Sequence, residues 1–215
     1  MSVGVLLAIA TGVLVALLLA SQKAGQRRLA WIFKPLAAAC FIAAGWYAGA
    51  LDSAWGSVLF AGLVLAACGD VLLIPKDKRA FLAGLVAFLL GHVAYAIAFA
   101  MRGLDLGWTL GSSVLLALIA APVLRWLWPH VDSKMRAPVL AYVLVITAMV
   151  ALAAGTYGAA GDLRILVGAI GFYLSDLAVA RERFVKSSFV NRAWGLPLYF
   201  GAQLLLAGTP GGAPW

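Results

Sequence analysis

The sequence contains few charged residues and only two cysteines. Charged side chains make up 11% of its 215 residues and hydrophobic ones 65%, whereas about 25% charged residues is usual for a soluble domain. This composition excludes a water-soluble globular fold, and two cysteines exclude a disulfide-rich scaffold. Cys40 and Cys68 lie in alanine-rich apolar runs, where we expect small buried packing side chains rather than a disulfide or a metal site.

Long apolar runs separated by short polar gaps predict an all-α fold, a polytopic transmembrane bundle of eight helices. A hydrocarbon core of about 30 Å needs about 20 helical residues for each span. The runs cover residues 2–20, 35–50, 54–74, 81–101, 106–128, 137–154, 164–180 and 193–207. We expect one integral membrane domain over residues 1–215, in which the first run is a retained helix rather than a cleaved signal.

The basic residues indicate how the bundle is oriented. Of the 16 Lys and Arg residues, all but Arg102 and Arg164 lie in the connections that follow odd-numbered runs. The positive-inside rule then predicts that these connections are cytoplasmic and that both termini are outside. Topology therefore accounts for the net charge of +8, and we expect no nucleic-acid partner. The Ala-, Leu- and Gly-rich composition favours the cytoplasmic (inner) membrane of a bacterium, and the oligomeric state stays open.

The two halves of the sequence resemble each other. Asp70 and Asp176 each precede a cluster of basic residues, and Pro35 and Pro138 lie near the starts of the second and sixth runs. These matches predict a parallel 4+4 duplication about an axis along the membrane normal. Such a duplication would place the two aspartates opposite each other in a shared cavity.

Asp70 and Asp176 are the candidate catalytic residues. A charge at the bilayer centre costs about 2.5–3.5 kcal/mol on insertion scales, so carboxylates there normally face a cavity or a partner. Both lie just before the inner ends of their runs. Two carboxylates in a low-dielectric cavity can share one proton, so that one acts as an acid and the other as a base. The alternative is that they pair with Lys34 or Arg136 and only fix helix packing.

Further polar residues are candidates for substrate binding, some near the depth of the aspartates, some about a turn deeper and some at the inner ends of the spans. They are Lys34, His92, Tyr95, Ser175, Tyr199, Gln203, Arg136 and Arg183. Tyr199 and Gln203 are four residues apart and share a helix face. Hydrogen bonds between helices are the competing interpretation for both, and a packing role is the competing interpretation for His92 and Ser175.

Zinc hydrolases and serine hydrolases are two enzyme classes whose required residues can be compared with those of this sequence. Catalytic zinc usually takes three protein ligands, and a site from His92, Asp70 and Asp176 is conceivable, but it has no ligand-spacing motif. A serine hydrolase is disfavoured because no Gly-x-Ser-x-Gly motif is present. General acid/base hydrolysis by the two aspartates therefore fits the sequence better.

Five short motifs follow one another along the predicted spans: Lys34-Pro35-Leu36, Gly69-Asp70, Gly91-His92-Val93-Ala94-Tyr95, Phe172-Tyr173-Leu174-Ser175-Asp176 and Tyr199-Phe200-Gly201-Ala202-Gln203. In this order they resemble the YhhN family of membrane lysoplasmalogenases. At Phe200 the chain departs from the family pattern, which often has a second tyrosine there. The resemblance implies hydrolysis of the vinyl ether bond of lysoplasmalogens, which gives a fatty aldehyde and a glycerophospho-ethanolamine or -choline.

The chemistry that this resemblance implies fits the residues. Protonation of the alkene carbon gives an oxocarbenium ion that a carboxylate stabilises and water attacks, so we expect neither a cofactor nor a metal. Lys34, with Arg136 or Arg183, would bind the phosphate of the lysophospholipid at the inner surface. The main alternative is a proton-coupled transporter or flippase of a lipid or small amphiphile, since paired intramembrane carboxylates also relay protons. A structural or partner-binding membrane protein is the third interpretation.

Overall fold

Eight long α-helices make up most of the part of the chain that the structure describes. The computed structural model describes residues 1–75 and 77–211, and Lys76, part of the basic cluster after the third helix, lies outside the described residues. The helices are α1 (Val3–Lys23), α2 (Ala30–Tyr47), α3 (Ala54–Leu72), α4 (Lys78–Arg102), α5 (Leu106–Leu127), α6 (Ser133–Ala160), α7 (Leu163–Ala180) and α8 (Phe189–Ala207). The described part of the chain contains no strand, and the predicted helical bundle is confirmed.

Short polar side chains begin most of the helices. Ser53, Asp77, Asp105 and Ser188 each accept a hydrogen bond from a backbone N–H in the first turn of α3, α4, α5 and α8. Such caps satisfy donors that have no partner inside the helix. The caps therefore explain why these helices begin within a few residues of the predicted apolar runs.

The second and sixth helices begin earlier than predicted. Pro35 and Pro138 were expected near their first residues, but α2 begins at Ala30 and α6 at Ser133, so each proline is the sixth residue of its helix. A proline removes one backbone hydrogen bond, yet both helices continue through it. At its other end α6 runs on to Gly161, whose φ of 72° suits a residue without a Cβ.

Seven of the described helices are long and apolar enough to cross a membrane. The eighth, α8, is 19 residues long but falls below that level of hydropathy, because it carries Asn191, Arg192 and Gln203. Together the helices make this a multi-pass membrane protein. The orientation with both termini outside stays a prediction.

Neighbouring helices pack most extensively in the pairs α3 with α4 and α7 with α8. Small residues allow these contacts: a Cβ on Gly62 would lie 2.5 Å from the Tyr95 ring, and one on Gly69 would lie 2.7 Å from the Phe88 ring. Between the two halves, α4 packs on α6 and α2 packs on α8. A two-fold axis between the halves would relate α4 to α8 and α6 to α2, so these two contacts are the pair that a duplication predicts. The duplication itself stays a prediction.

Cys40 and Cys68 differ from the expectation. Cys68 is exposed on the outside of the bundle and Cys40 is half-buried. Cys68 is exposed because the helix rotation that buries Gly69 and Asp70 turns it outward.

The two basic residues that depart from the charge pattern meet at one end of the bundle, between the end of α4 and the start of α7. Arg102 and Arg164 both contact Asp162, at 3.1 and 2.9 Å, and Arg164 also donates to the carbonyl of Gly208. Burial raises the pKa of Asp162, but the hydrogen bonds and charge of Arg164, with the charge of Arg102, hold that pKa below its ordinary value. This ion cluster links α4, α7 and α8.

Candidate active site

Asp70 is buried near the C-terminal end of α3 and has a partner for each carboxylate oxygen. The Lys34 ammonium lies 3.0 Å from Oδ1, and the Tyr199 hydroxyl donates to Oδ2 at 2.7 Å. The same ammonium also donates to the Asp70 carbonyl at 3.0 Å. Three helices, α2, α3 and α8, therefore hold this carboxylate beside a positive charge.

Asp176, on α7, has a different set of partners. The Tyr142 hydroxyl of α6 donates to Oδ2 at 2.6 Å, and His92 Nε2 of α4 lies 3.6 Å from the same oxygen. No hydrogen bond from the described residues reaches Oδ1. The side chain of Asp176 is 16% exposed against 2% for Asp70. Asp176 is therefore the carboxylate with an oxygen free to meet a substrate.

The two aspartates do not contact each other directly. No hydrogen bond joins them among the described residues, although each lies within electrostatic range of the other. Aromatic rings occupy the space between their partners: Tyr199 lies 5.4 Å from Phe172 and 5.8 Å from Phe88, and His92 lies 4.3 Å from Phe172. The site is thus two polar centres on one apolar wall rather than a pair of touching carboxylates.

His92 is fully buried, and its hydrogen bond fixes the position of its proton. Nδ1 lies 2.6 Å from the carbonyl of Phe88, one turn earlier in α4. A carbonyl only accepts, so Nδ1 must carry hydrogen. In the neutral ring Nε2 is then an acceptor, and it points toward the Asp176 carboxyl.

Tyr95 and Gln203 form a second polar contact deeper in the bundle. The Tyr95 hydroxyl of α4 donates to Gln203 Oε1 of α8 at 2.6 Å. Both side chains are fully buried. The predicted face of α8 that carries Tyr199 and Gln203 therefore meets the face of α4 that carries His92 and Tyr95.

The remaining predicted site residues lie apart from these contacts. Ser175 is buried and donates to the Phe172 carbonyl within its own helix. The guanidinium of Arg136 lies over the Trp128 ring at 5.1 Å, and that of Arg183 lies over the Phe81 ring at 4.1 Å. Neither arginine contacts Asp70 or Asp176 in the described part of the chain.

Tyr142 was not among the residues that the sequence singled out. It lies in the apolar run of α6 and is half-buried, with its ring 5.2 Å from that of His92. Tyr142 lies near the start of the predicted run 137–154, and this position indicates a depth close to that of Asp176. The depth of a polar residue in an apolar run was therefore the available signal.

Within residues 1–75 and 77–211, no three His, Cys, Asp or Glu side chains come together as a group that could hold a metal ion. The zinc alternative required His92, Asp70 and Asp176 to converge. Instead, Asp70 pairs with Lys34, and only His92 and Asp176 face each other. The donors present therefore do not form a three-ligand site.

Comparison with known proteins identifies relatives of this chain. The YhhN family model matches residues 29–209. Lysoplasmalogenase TMEM86A of Bos taurus is 32% identical over 157 residues, which cover 69% of this chain and 63% of that protein. Lysoplasmalogenase TMEM86B of Homo sapiens is 33% identical over 149 residues, covering 69% and 61%. A lysoplasmalogenase of Mycobacterium tuberculosis is 31% identical over 156 residues, covering 69% and 58%.

The matched segment thus spans less than two thirds of the length of each of these relatives. No solved structure matches the chain. The family match includes the helices that carry Lys34, Asp70, His92, Asp176 and Tyr199. The resemblance inferred from the five motifs is confirmed.

Proposed function

Because this chain belongs to the YhhN family, we propose that it is a membrane hydrolase of lysoplasmalogens. It cleaves the vinyl ether bond with water and releases a fatty aldehyde and a glycerophospho-ethanolamine or -choline. The names of its relatives support this substrate class. The observation that carries the mechanism is the unequal use of the carboxylate oxygens: both oxygens of Asp70 have partners, whereas Oδ1 of Asp176 accepts no hydrogen bond from the described residues.

Asp176 is the general acid in this mechanism. Its Oδ1 proton passes to the alkene carbon next to the ether carbon, and the electron pair of the ether oxygen completes an oxocarbenium ion. Water then adds to the ether carbon, and the Asp176 carboxylate takes the proton that water loses. As the resulting hemiacetal breaks its bond to the glycerol oxygen, Asp176 gives its proton to that oxygen and takes the proton of the hemiacetal hydroxyl, which yields the aldehyde and the alcohol and leaves Asp176 protonated again. Every proton is accounted for within one residue and one water molecule.

Asp70 stabilises the charge that develops in this reaction. Its carboxylate is held as an anion by Lys34 and oriented by Tyr199. A fixed negative charge in a dry site stabilises a developing cation without reorganisation. The pair therefore works as one proton donor and one fixed anion, which assigns the two roles that the sequence left open.

Lys34 also connects the site to the substrate phosphate. An ammonium has three N–H donors, and two of them are directed at Asp70. The third is available to a phosphate oxygen, because Lys34 is 12% exposed near the inner end of α2. Arg136 and Arg183 add positive charge at the same side of the bundle. A single-chain lipid in the inner leaflet would then present its ether group close to its phosphate, at the depth of the aspartates.

The test is release of aldehyde by the purified chain in detergent, with lysoplasmalogen and no ion gradient. We expect Asp176→Asn to lower kcat by about 10²-fold or more, the usual contribution of a general acid. Asp132→Asn is the matched control, since Asp132 is exposed and its side chain makes no capping bond. If the wild type releases no aldehyde, or if Asp70→Asn and Asp176→Asn keep full activity, the mechanism is wrong.

The same assay separates hydrolysis from transport. A proton-coupled transporter or flippase would move the lipid across vesicle membranes and leave the vinyl ether intact. The helices that carry the aspartates, α3 and α7, contain no proline and run unbroken through the site, whereas transporter sites often lie at interrupted helices. We further propose that the protein resides in the cytoplasmic membrane of a bacterium, on the strength of its composition.

A further inference from the structure

Two buried polar atoms near the candidate site have no hydrogen-bond partner among the described residues. They are Nε2 of Gln203 and Nε2 of His92, and both residues are fully buried. A buried polar atom without a partner costs free energy, so such atoms usually meet a ligand or water. Both residues border the apolar wall formed around Phe172. The His92 ring lies 4.3 Å from the Phe172 ring, and the ring of Tyr95, whose hydroxyl donates to Gln203, lies 6.2 Å from the Phe172 ring.

The Gln203 atom is a hydrogen-bond donor. The contact of 2.6 Å between the Tyr95 hydroxyl and the Gln203 amide is typical of O–H···O bonds and shorter than N–H···O bonds. It therefore places the amide oxygen against Tyr95 and leaves the NH₂ group unpaired. Gly62 allows this arrangement, because its missing side chain makes room for the Tyr95 ring.

The His92 atom is a hydrogen-bond acceptor. The bond from Nδ1 to the Phe88 carbonyl fixes the hydrogen on Nδ1, so Nε2 of the neutral ring presents a lone pair. At 3.6 Å, Asp176 Oδ2 is too far for a direct hydrogen bond. The wall thus offers one donor and one acceptor, both desolvated.

We propose that Gln203 Nε2 and His92 Nε2 together bind one hydroxyl group, with Gln203 donating to its oxygen and His92 accepting its hydrogen. This inference rests on the proposed function for the identity of the lipid. The hydroxyl comes either from glycerol carbon 2 of a lysolipid or from the water that enters the reaction. In the first case the site selects lysolipids, because an acylated carbon 2 has no O–H to donate and leaves His92 unpaired.

Binding of a lipid that cannot react tests the first source. The probe is a saturated 1-O-alkyl lysolipid, compared with its 2-deoxy analogue, on the full-length protein in detergent. We expect the wild type to bind the hydroxylated probe about 10- to 100-fold more tightly, as a desolvated donor and acceptor pair allows. Gln203→Met removes the donor at similar volume and should lower this ratio close to one, whereas Gln22→Met should not, although Gln22 Oε1 is also buried and unpartnered.

Tyr95→Phe supplies an independent variant. Tyr95 is a positioning residue that acts through Gln203, so its loss should lower the ratio between the two probes while affinity for the 2-deoxy probe stays the same. A purely structural role would weaken both probes equally. Tyr173→Phe is the matched control, since Tyr173 is a buried tyrosine of the same core. Melting temperatures of all four variants identify any that fail to fold.

Turnover separates the two sources. If the probes bind equally but Gln203→Met lowers kcat about 10-fold or more on both lysoplasmalogen and its 2-deoxy analogue, the bound hydroxyl is the water. The proposal is overturned if Gln203→Met changes neither the binding ratio nor kcat. A wild type that releases no aldehyde refutes the proposed function alone, and the binding ratio then decides this proposal by itself.

Discussion

Replacing Lys34 by methionine should destabilise the protein strongly, because it leaves the Asp70 carboxylate buried without its cation. The Asp70 side chain is 2% exposed, and the Lys34 ammonium lies 3.0 Å from both its Oδ1 and its carbonyl oxygen. Removing one partner of a buried ion pair typically costs about 3–5 kcal/mol. We expect a loss of that size in the free energy of unfolding for Lys34→Met.

A second substitution tests the cause of this loss. Asp70→Asn combined with Lys34→Met removes the unpaired charge while its amide can still accept the Tyr199 hydrogen bond. The double variant should therefore be more stable than Lys34→Met alone. Lys186→Met is the matched control, since Lys186 is exposed in the connection before α8, and exposed charges contribute about 0–1 kcal/mol.

The assay is reversible unfolding in mixed micelles, followed by the far-UV signal of the helices as denaturing detergent is added. The reasoning is refuted if Lys34→Met is as stable as the wild type. It is equally refuted if the double variant is less stable than the single one. In either case Lys34 and Asp70 would not form the buried ion pair on which the role of Asp70 depends.

Three further predictions concern other parts of the molecule. Tyr142→Phe should lower kcat about 10-fold, because Asp176 loses the hydrogen bond that orients it, and it should shift the pH profile of kcat; an unchanged profile would contradict this. Asp162→Asn should cost about 1–2 kcal/mol of stability at neutral pH. Because the pKa of Asp162 is held below its ordinary value, this stabilisation is present above pH about 4 and is lost as pH falls through the lower folded value, so unfolding curves of wild type and variant should converge in acid. A cysteine introduced in place of Lys78 or Lys186 should not react with an impermeant thiol reagent added outside intact cells, because both connections are predicted to be cytoplasmic. Labelling at either position would contradict the predicted orientation.

Helix positions followed closely from the sequence because hydropathy depends on local composition. The bounds of α3, α5 and α7 lie within a few residues of the apolar runs. The predicted run for α6 was too short at both ends, because the first turn of the helix contains Lys134 and Arg136 and its last turns contain Gly155 and Gly158. Hydropathy alone does not show that a helix continues through such charged or glycine residues beyond the apolar core of the membrane.

The sequence offered Lys34 as an alternative partner of the aspartates, but it did not show which aspartate Lys34 meets. The equal depth of Asp70 and Asp176 was visible in the spacing, but the rotation of each helix decides which neighbours they meet. Lys34 was expected at the phosphate or paired with an aspartate; it lies against Asp70, and its role at the phosphate stays a prediction. Tyr142 was not predicted because it stands alone in an apolar run, with no second polar residue on its helix face to mark it.

Hydrolysis in heavy water tests the central claim most directly. The purified protein is mixed with lysoplasmalogen in D₂O, and the released aldehyde is trapped at once by reduction and examined by mass spectrometry. If Asp176 protonates the alkene carbon, the product carries one deuterium on the carbon next to the former aldehyde carbon. Unlabelled aldehyde taken through the same steps controls for exchange. An aldehyde without deuterium at that carbon, or full labelling and full rate with Asp176→Asn, would contradict the mechanism.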